Sequence, residues 1–136
     1  MTTYVLDASA LIRYADDEAG AERVERIVLA CASKQAEVYV SAVQWGEVAG
    51  NFRKRFGPAA EPSLLGKLLP SEAVVIAATC ERAVRAAALS VDRKIAYSDS
   101  FAIGLALEST DRILVTADYG FKAVEDLAKI EFLPAK

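Results

Sequence analysis

Five short apolar runs, rich in β-branched and aromatic residues, alternate with stretches of helical spacing, and this alternation limits the possible folds more than any other feature of the chain. The strand-like runs are Tyr4–Leu6, Glu37–Val40, Ala73–Ala77, Ile113–Thr116 and Ile130–Leu133. The spacing predicts helices over Ala8–Tyr14, Ala21–Ser33, Val43–Phe56, Ser63–Leu69, Glu81–Val91 and Ser100–Glu108, with a short turn after Tyr119. Within the third of these, Val48, Phe52 and Phe56 recur in steps of four, which stacks them on one helix face. Strands and helices in alternation bury their apolar faces best as an α/β fold, a mainly parallel central sheet flanked by helices. The 136 residues suffice for one such domain, spanning 1–136, with a sizeable core. Gly57–Pro62 is the loosest stretch and reads as a loop between helices, with Pro62 breaking the pattern.

With 54% hydrophobic and 26% charged residues, the chain is expected to fold rather than remain disordered. No apolar stretch approaches the roughly 18–20 residues of a membrane span, and Ala73–Ala78 has the length of one buried strand. The N-terminus lacks the basic start and long apolar core of a signal peptide. Cys31 and Cys80 lie in helical contexts without metal-ligand spacing, so both are expected to be reduced, buried small hydrophobes in a cytoplasmic protein.

The chain has no histidine, which removes Ser-His-Asp and Cys-His catalysis and nearly every zinc site. Neither a P-loop nor a Gly-x-Gly-x-x-Gly motif is present, so the common nucleotide-cradling loops are missing too. Carboxylates, hydroxyls, lysines and arginines are left for chemistry. The first two are oxygen ligands, and oxygen ligands select Mg²⁺ or Mn²⁺. A net charge of -3 argues against binding nucleic acid through bulk positive charge, although metal ions and a local basic patch can still meet a polyanion.

In a parallel sheet with right-handed crossovers every strand ends at one edge, and every following helix starts there. Asp7 follows the first strand, Glu47 lies in the second turn of the helix after Val40-Ser41, and Asp118 closely follows Thr116 at the end of the fourth strand. Asp99 opens a helix that must run back down the sheet, so it belongs to the same edge. Four acids distant in sequence are therefore expected to converge. Such a cluster is unfavourable without a counter-charge, because like-charged carboxylates raise one another's pKa. A divalent cation offsets the repulsion, polarises phosphate and promotes hydrolysis of a phosphodiester. Helix capping alone would account for Asp7, Asp99 or Asp118 taken singly. Glu47 sits among the small residues Gly46, Ala49 and Gly50 and is expected to lean toward the packed side of its helix. The hydroxyls of Ser9 and Thr116 fall within reach of the cluster, while Asn51 reads as an ordinary polar helix position.

The blocks YVLDASALI, SAVQWGEVAGN, YSDSFAIGLALE and ILVTADYGF, in this order and spacing, resemble a PIN-domain ribonuclease, specifically a VapC-type toxin of a type II toxin–antitoxin system. The resemblance runs from Tyr4 to about Phe132. It implies one PIN-like domain with an acidic pocket at the strand ends. Asp7, Glu47, Asp99 and Asp118 would be both catalytic residues and ligands of Mg²⁺ (or Mn²⁺), with Ser9 and Thr116 as neighbouring hydroxyls. It further implies an endoribonuclease acting on structured RNA such as tRNA or rRNA, a homodimer, and a cognate VapB-type antitoxin that blocks the site.

Independently of the family, Arg53, Lys54 and Arg55 near the end of the Glu47 helix could contact RNA phosphates, or simply complement the helix dipole. Tyr97, Tyr119 and Phe121 could stack on unpaired bases or pack as core and rim. A phosphoacceptor receiver domain needs an acid pair just after the first strand, whereas Asp7 stands alone and Asp16-Asp17 come too late. A haloacid-dehalogenase-type phosphatase needs a second Asp where Ser9 stands. A non-catalytic PIN-like module that only binds a partner is the remaining alternative.

Overall fold

The computed structural model describes Met1–Lys136. Five strands, β1 (Thr2–Leu6), β2 (Ala36–Ser41), β3 (Val74–Ile76), β4 (Arg112–Thr116) and β5 (Lys129–Phe132), form one sheet in the order β3-β2-β1-β4-β5, with every pair parallel. Six helices connect or flank them: α1 (Ala8–Ala15), α2 (Ala21–Ala32), α3 (Ala42–Phe56), α4 (Glu61–Leu68), α5 (Cys80–Arg93) and α6 (Tyr97–Ala106). A 3-10 segment, Tyr119–Val124, links β4 to β5. The chain winds outward from β1 through β2 to β3, then returns to the other side of β1 for β4 and β5. The upper edge beside β1 is thus a point where winding direction reverses, the place where open α/β sheets form crevices.

Successive strand residues face opposite sides of a sheet, and both sides of this one are covered. Leu6 and Val115 join a core with Leu11, Val24, Ile27 and Phe52 on one face. Val5 and Leu114 join a second core with Ile103, Leu105, Phe121 and Val124 on the other. Fully burying such a side chain contributes about 1.5–3 kcal/mol, so the central strand pair β1–β4 anchors the molecule. α6 is buried from Ser100 to Ala106 because α5 covers its outer side, with Leu89 lying against Gly104.

Four local expectations change. α4 starts at Glu61 rather than after Pro62, because a proline in the first helical turn removes only an N–H that has no partner there. β3 is a short edge strand with Val74 and Val75 exposed, not a buried one, since it has a neighbour only in β2. Cys31 is buried, but Cys80 is exposed, at the first position of α5. The sixth helix begins at Tyr97 rather than Ser100, with Asp99 already inside its first turn. No helix is long and apolar enough to cross a membrane.

Candidate active site

Asp7 leaves β1 with an extended backbone and caps α1, its Oδ1 accepting the Ala10 N–H at 2.9 Å. The carboxylate is only 1% exposed. Thr116 at the end of β4 donates its hydroxyl to Asp7 Oδ2 at 2.6 Å, and Ser9 donates to both carboxylate oxygens at 2.8 and 2.9 Å. Ser9 in turn accepts the Ala117 N–H, and Thr116 accepts the Asp118 N–H, each at 2.9 Å. The two hydroxyls therefore lock the strand ends together around Asp7, as their positions suggested. Burial still dominates, and it raises the Asp7 pKa from 3.8 to about 6 against those hydrogen bonds, with Asp99 adding a smaller push.

Asp99 is half-buried, and its pKa is also raised to about 6. Burial is the largest cause, followed by the charges of Asp118 and then Glu47; a hydrogen bond from Gln44 acts in the opposite direction. The Asp118 carboxylate thus acts on Asp99 as a like-charged neighbour. Asp118 lies exposed and caps the 3-10 segment, its Oδ1 accepting the Gly120 N–H at 2.8 Å. Asp7 and Asp118 thus combine capping with membership of the cluster. Capping does not account for Asp99, because the cap position of α6 is Ala96 and makes no side-chain bond.

Glu47 differs from expectation in being exposed. The buried stripe of α3 is Gln44, Val48 and Phe52, and Glu47 lies off it. The small neighbours Gly46 and Gly50 do not pack against anything: a Cβ at either would meet nothing within 4 Å. They leave open space beside the carboxylate instead of burying it.

All donors here are oxygens, and two carboxyls have pKa values raised by crowding and burial, an arrangement a divalent cation would relieve. No three acidic side chains are arranged to hold a metal ion between them as they stand.

The positive charges fall elsewhere than expected. Arg55 is committed to Asp16 at 3.0 and 3.1 Å and to Asn51 at 2.9 Å, and it lies over the Phe56 ring. Arg53 and Lys54 are exposed, but they lie about 9–11 Å along α3 beyond Glu47, away from the strand-end edge. Nearer the cluster, Ser9 and Asp118 share a cleft of about 620 Å³ with Arg13, Glu18, Tyr119 and Lys136. Arg13 donates to the carbonyls of Ala19 and Pro134, and Lys136 pairs with Glu18. Sequence reasoning did not single out Arg13 or Lys136, since neither belongs to a charge run. Among the aromatics, Tyr119 and Tyr97 are exposed, whereas Phe121 is 1% exposed and belongs to the core, which removes it as a base-stacking surface.

The profile of the PIN domain family matches residues 4–127. By sequence, no curated protein is matched. Among solved structures, VapBC2 from Rickettsia felis, bound to a DNA fragment from its promoter, superposes with a TM-score of 0.75 at 16% identity, covering 98% of this chain and 100% of that one. DNA-bound VapBC from Salmonella typhimurium gives 0.71 at 18% identity, covering 97% and 98%. VapC20 of Mycobacterium tuberculosis, a sarcin–ricin-loop-cleaving toxin, gives 0.70 at 16% identity, covering 96% and 99%. At these identities the neighbours speak to the fold, and the family profile covers most of the sequence. The chain belongs to the PIN domain family.

Proposed function

We propose that this protein is the toxin of a VapBC-type pair and acts as a Mg²⁺- or Mn²⁺-dependent endoribonuclease on structured RNA. The observation that carries the proposal is the meeting of acids at the sheet's strand-end edge, where Ser9 and Thr116 tie Asp7 to the backbone of Ala117 and Asp118, and Gln44 joins Ala8 to Ser98, the neighbours of Asp7 and Asp99. Asp99 and Asp118 would hold the metal directly, with Glu47 and Asp7 supplying the remaining negative charge of the acidic set. The ion would supply charge for the phosphate and lower the pKa of water. A cation held there would offset the crowding that raises the Asp99 pKa and keep these carboxylates ionised at neutral pH. Hydrolysis would form a bond from the water oxygen to phosphorus and break one from phosphorus to a ribose oxygen, the proton given up by the water ending, by way of solvent, on the released ribose oxygen. Ser9 and Thr116 keep Asp7 aligned throughout.

Arg13 and Lys136 line the cleft beside Asp118 and would meet flanking phosphates there, Lys136 by exchanging its pairing with Glu18. For the antitoxin, a groove of about 340 Å³ lined by Tyr14, Phe52, Phe56, Leu64 and Leu68 offers an apolar seat. Toxin–antitoxin complexes among the structural neighbours support an antitoxin partner. For the homodimer, the outer face of α5 carries Val84, Ala87, Ala88 and Val91 at helical spacing, with Val84 67% and Val91 77% exposed.

The test is cleavage of a total tRNA pool and of rRNA by antitoxin-free protein with Mn²⁺ or Mg²⁺, against EDTA and against Asp99→Asn. Discrete fragments that require both metal and Asp99 are expected. Cleavage by Asp99→Asn at the parent rate would sink the mechanism. Absence of both cleavage and metal binding would favour the non-catalytic partner-binding module.

A further inference from the structure

Gln44 is a neutral polar side chain only 1% exposed, on the face of α3 that otherwise buries Val48 and Phe52. Its Oε1 accepts the Ala8 N–H at 2.7 Å, and its Nε2 donates to the Ser98 carbonyl at 2.8 Å. These partners fix the amide's orientation, since an N–H requires the oxygen and a carbonyl requires the nitrogen. They also lie directly beside two of the four acids, Ala8 following Asp7 and Ser98 preceding Asp99, while Glu47 lies one turn along the same helix. We infer that Gln44 is a positioning residue, a single buried amide that sets the spacing of Asp7 and Asp99 relative to the helix carrying Glu47. A carboxylate of the same length cannot donate to Ser98, an ammonium cannot accept from Ala8, and asparagine is one methylene too short to span both. The purpose of that spacing rests on the metal-dependent reading above; the clasp itself rests on geometry alone.

Only three side-chain amides exist in the chain, those of Gln35, Gln44 and Asn51, so their NMR resonances are readily separated. With Mg²⁺ titrated into the full-length protein, the Gln44 side-chain amide is expected to exchange slowly with water. Its resonance should shift with the same midpoint as the Asp99 backbone amide, while exposed Gln35 stays fixed. A Gln44 signal that stays fixed while Asp99 shifts overturns the inference. If neither shifts, the metal-dependent reading itself falls, a separate outcome that removes the inference with it. Gln44→Met is then compared with Ser41→Ala, which removes the cap that accepts from Val43 N at 3.3 Å on the same helix. Gln44→Met should weaken Mn²⁺ binding and lower kcat about 10- to 100-fold, with KM for RNA within about threefold. Ser41→Ala should lower Tm and leave Mn²⁺ affinity within about twofold of the parent. Equal loss of Mn²⁺ affinity in the two variants, or none in Gln44→Met, overturns a positioning role. If Gln44→Met fails to fold, the Mg²⁺ titration of the parent decides.

Discussion

Asp7 shows how far a single residue can be read and where reading stops. Its place at a strand-to-helix handover announces a cap, and the structure bears this out with the Ala10 bond. That it is also the most enclosed acid depends on Thr116 and Ser9 closing over it, which no local pattern reveals. Burial holds the folded-state pKa near 6 against an ordinary value of 3.8, so between about pH 4 and 6 the folded chain binds more protons than the unfolded one. Stability of the metal-free protein is therefore lost as pH rises through that window, by about 3 kcal/mol for this residue. Asp7→Asn removes the penalty and keeps the Ala10 cap. It is expected to stabilise the metal-free protein by about 1–3 kcal/mol at pH 7, with the gain vanishing near pH 4. Urea unfolding at the two pH values checks this, and a variant less stable than the parent at pH 7 would show that the carboxylate's hydrogen bonds outweigh its burial. The same substitution is expected to abolish cleavage.

Among the elements, strand and helix identities were legible because each carries its own periodicity, and the differences arose where neighbours decide. α3 is the instructive case. The step-of-four series Val48, Phe52 and Phe56 was visible, and extended one step backward it reaches Gln44, a polar residue on an apolar face and the one available signal of its clasp. At the other end of the series Phe56 is exposed, because α3 reaches its last turn there, beyond the core. Glycines around Glu47 suggested tight packing, whereas the structure leaves open space there, since small residues permit either outcome. A direct consequence is that Gly50→Ala should stabilise the protein by about 0.5–1 kcal/mol, the helix-interior difference between these residues, because its new methyl meets nothing. Thermal unfolding that shows a loss instead would mean that this face is already covered in solution.

At the scale of the molecule, the parallel winding was enough to bring the strand-end acids to one edge, because that edge follows from topology rather than from side-chain detail. What it could not supply was the exposure of each helix, which depends on layering: α5 covers α6 and leaves its own outer face bare. If a second copy covers that stripe, Val84→Lys combined with Val91→Lys should convert a dimer to a monomer in light scattering and leave the circular dichroism spectrum unchanged. A parent chain that is monomeric at the concentrations tested would refute the dimer.

The strand order also has a consequence in time. β1 emerges first from the ribosome and can pair with β2 early, but its other neighbour is β4, the fourth strand to be made. Until β4 docks, Asp7 has no Thr116 to donate to it, and Asp118 has not been delivered to the edge. The acidic edge is therefore incomplete until the fourth strand is in place. Its competence arrives as a late event of synthesis, when nearly all of the remaining fold is already in place.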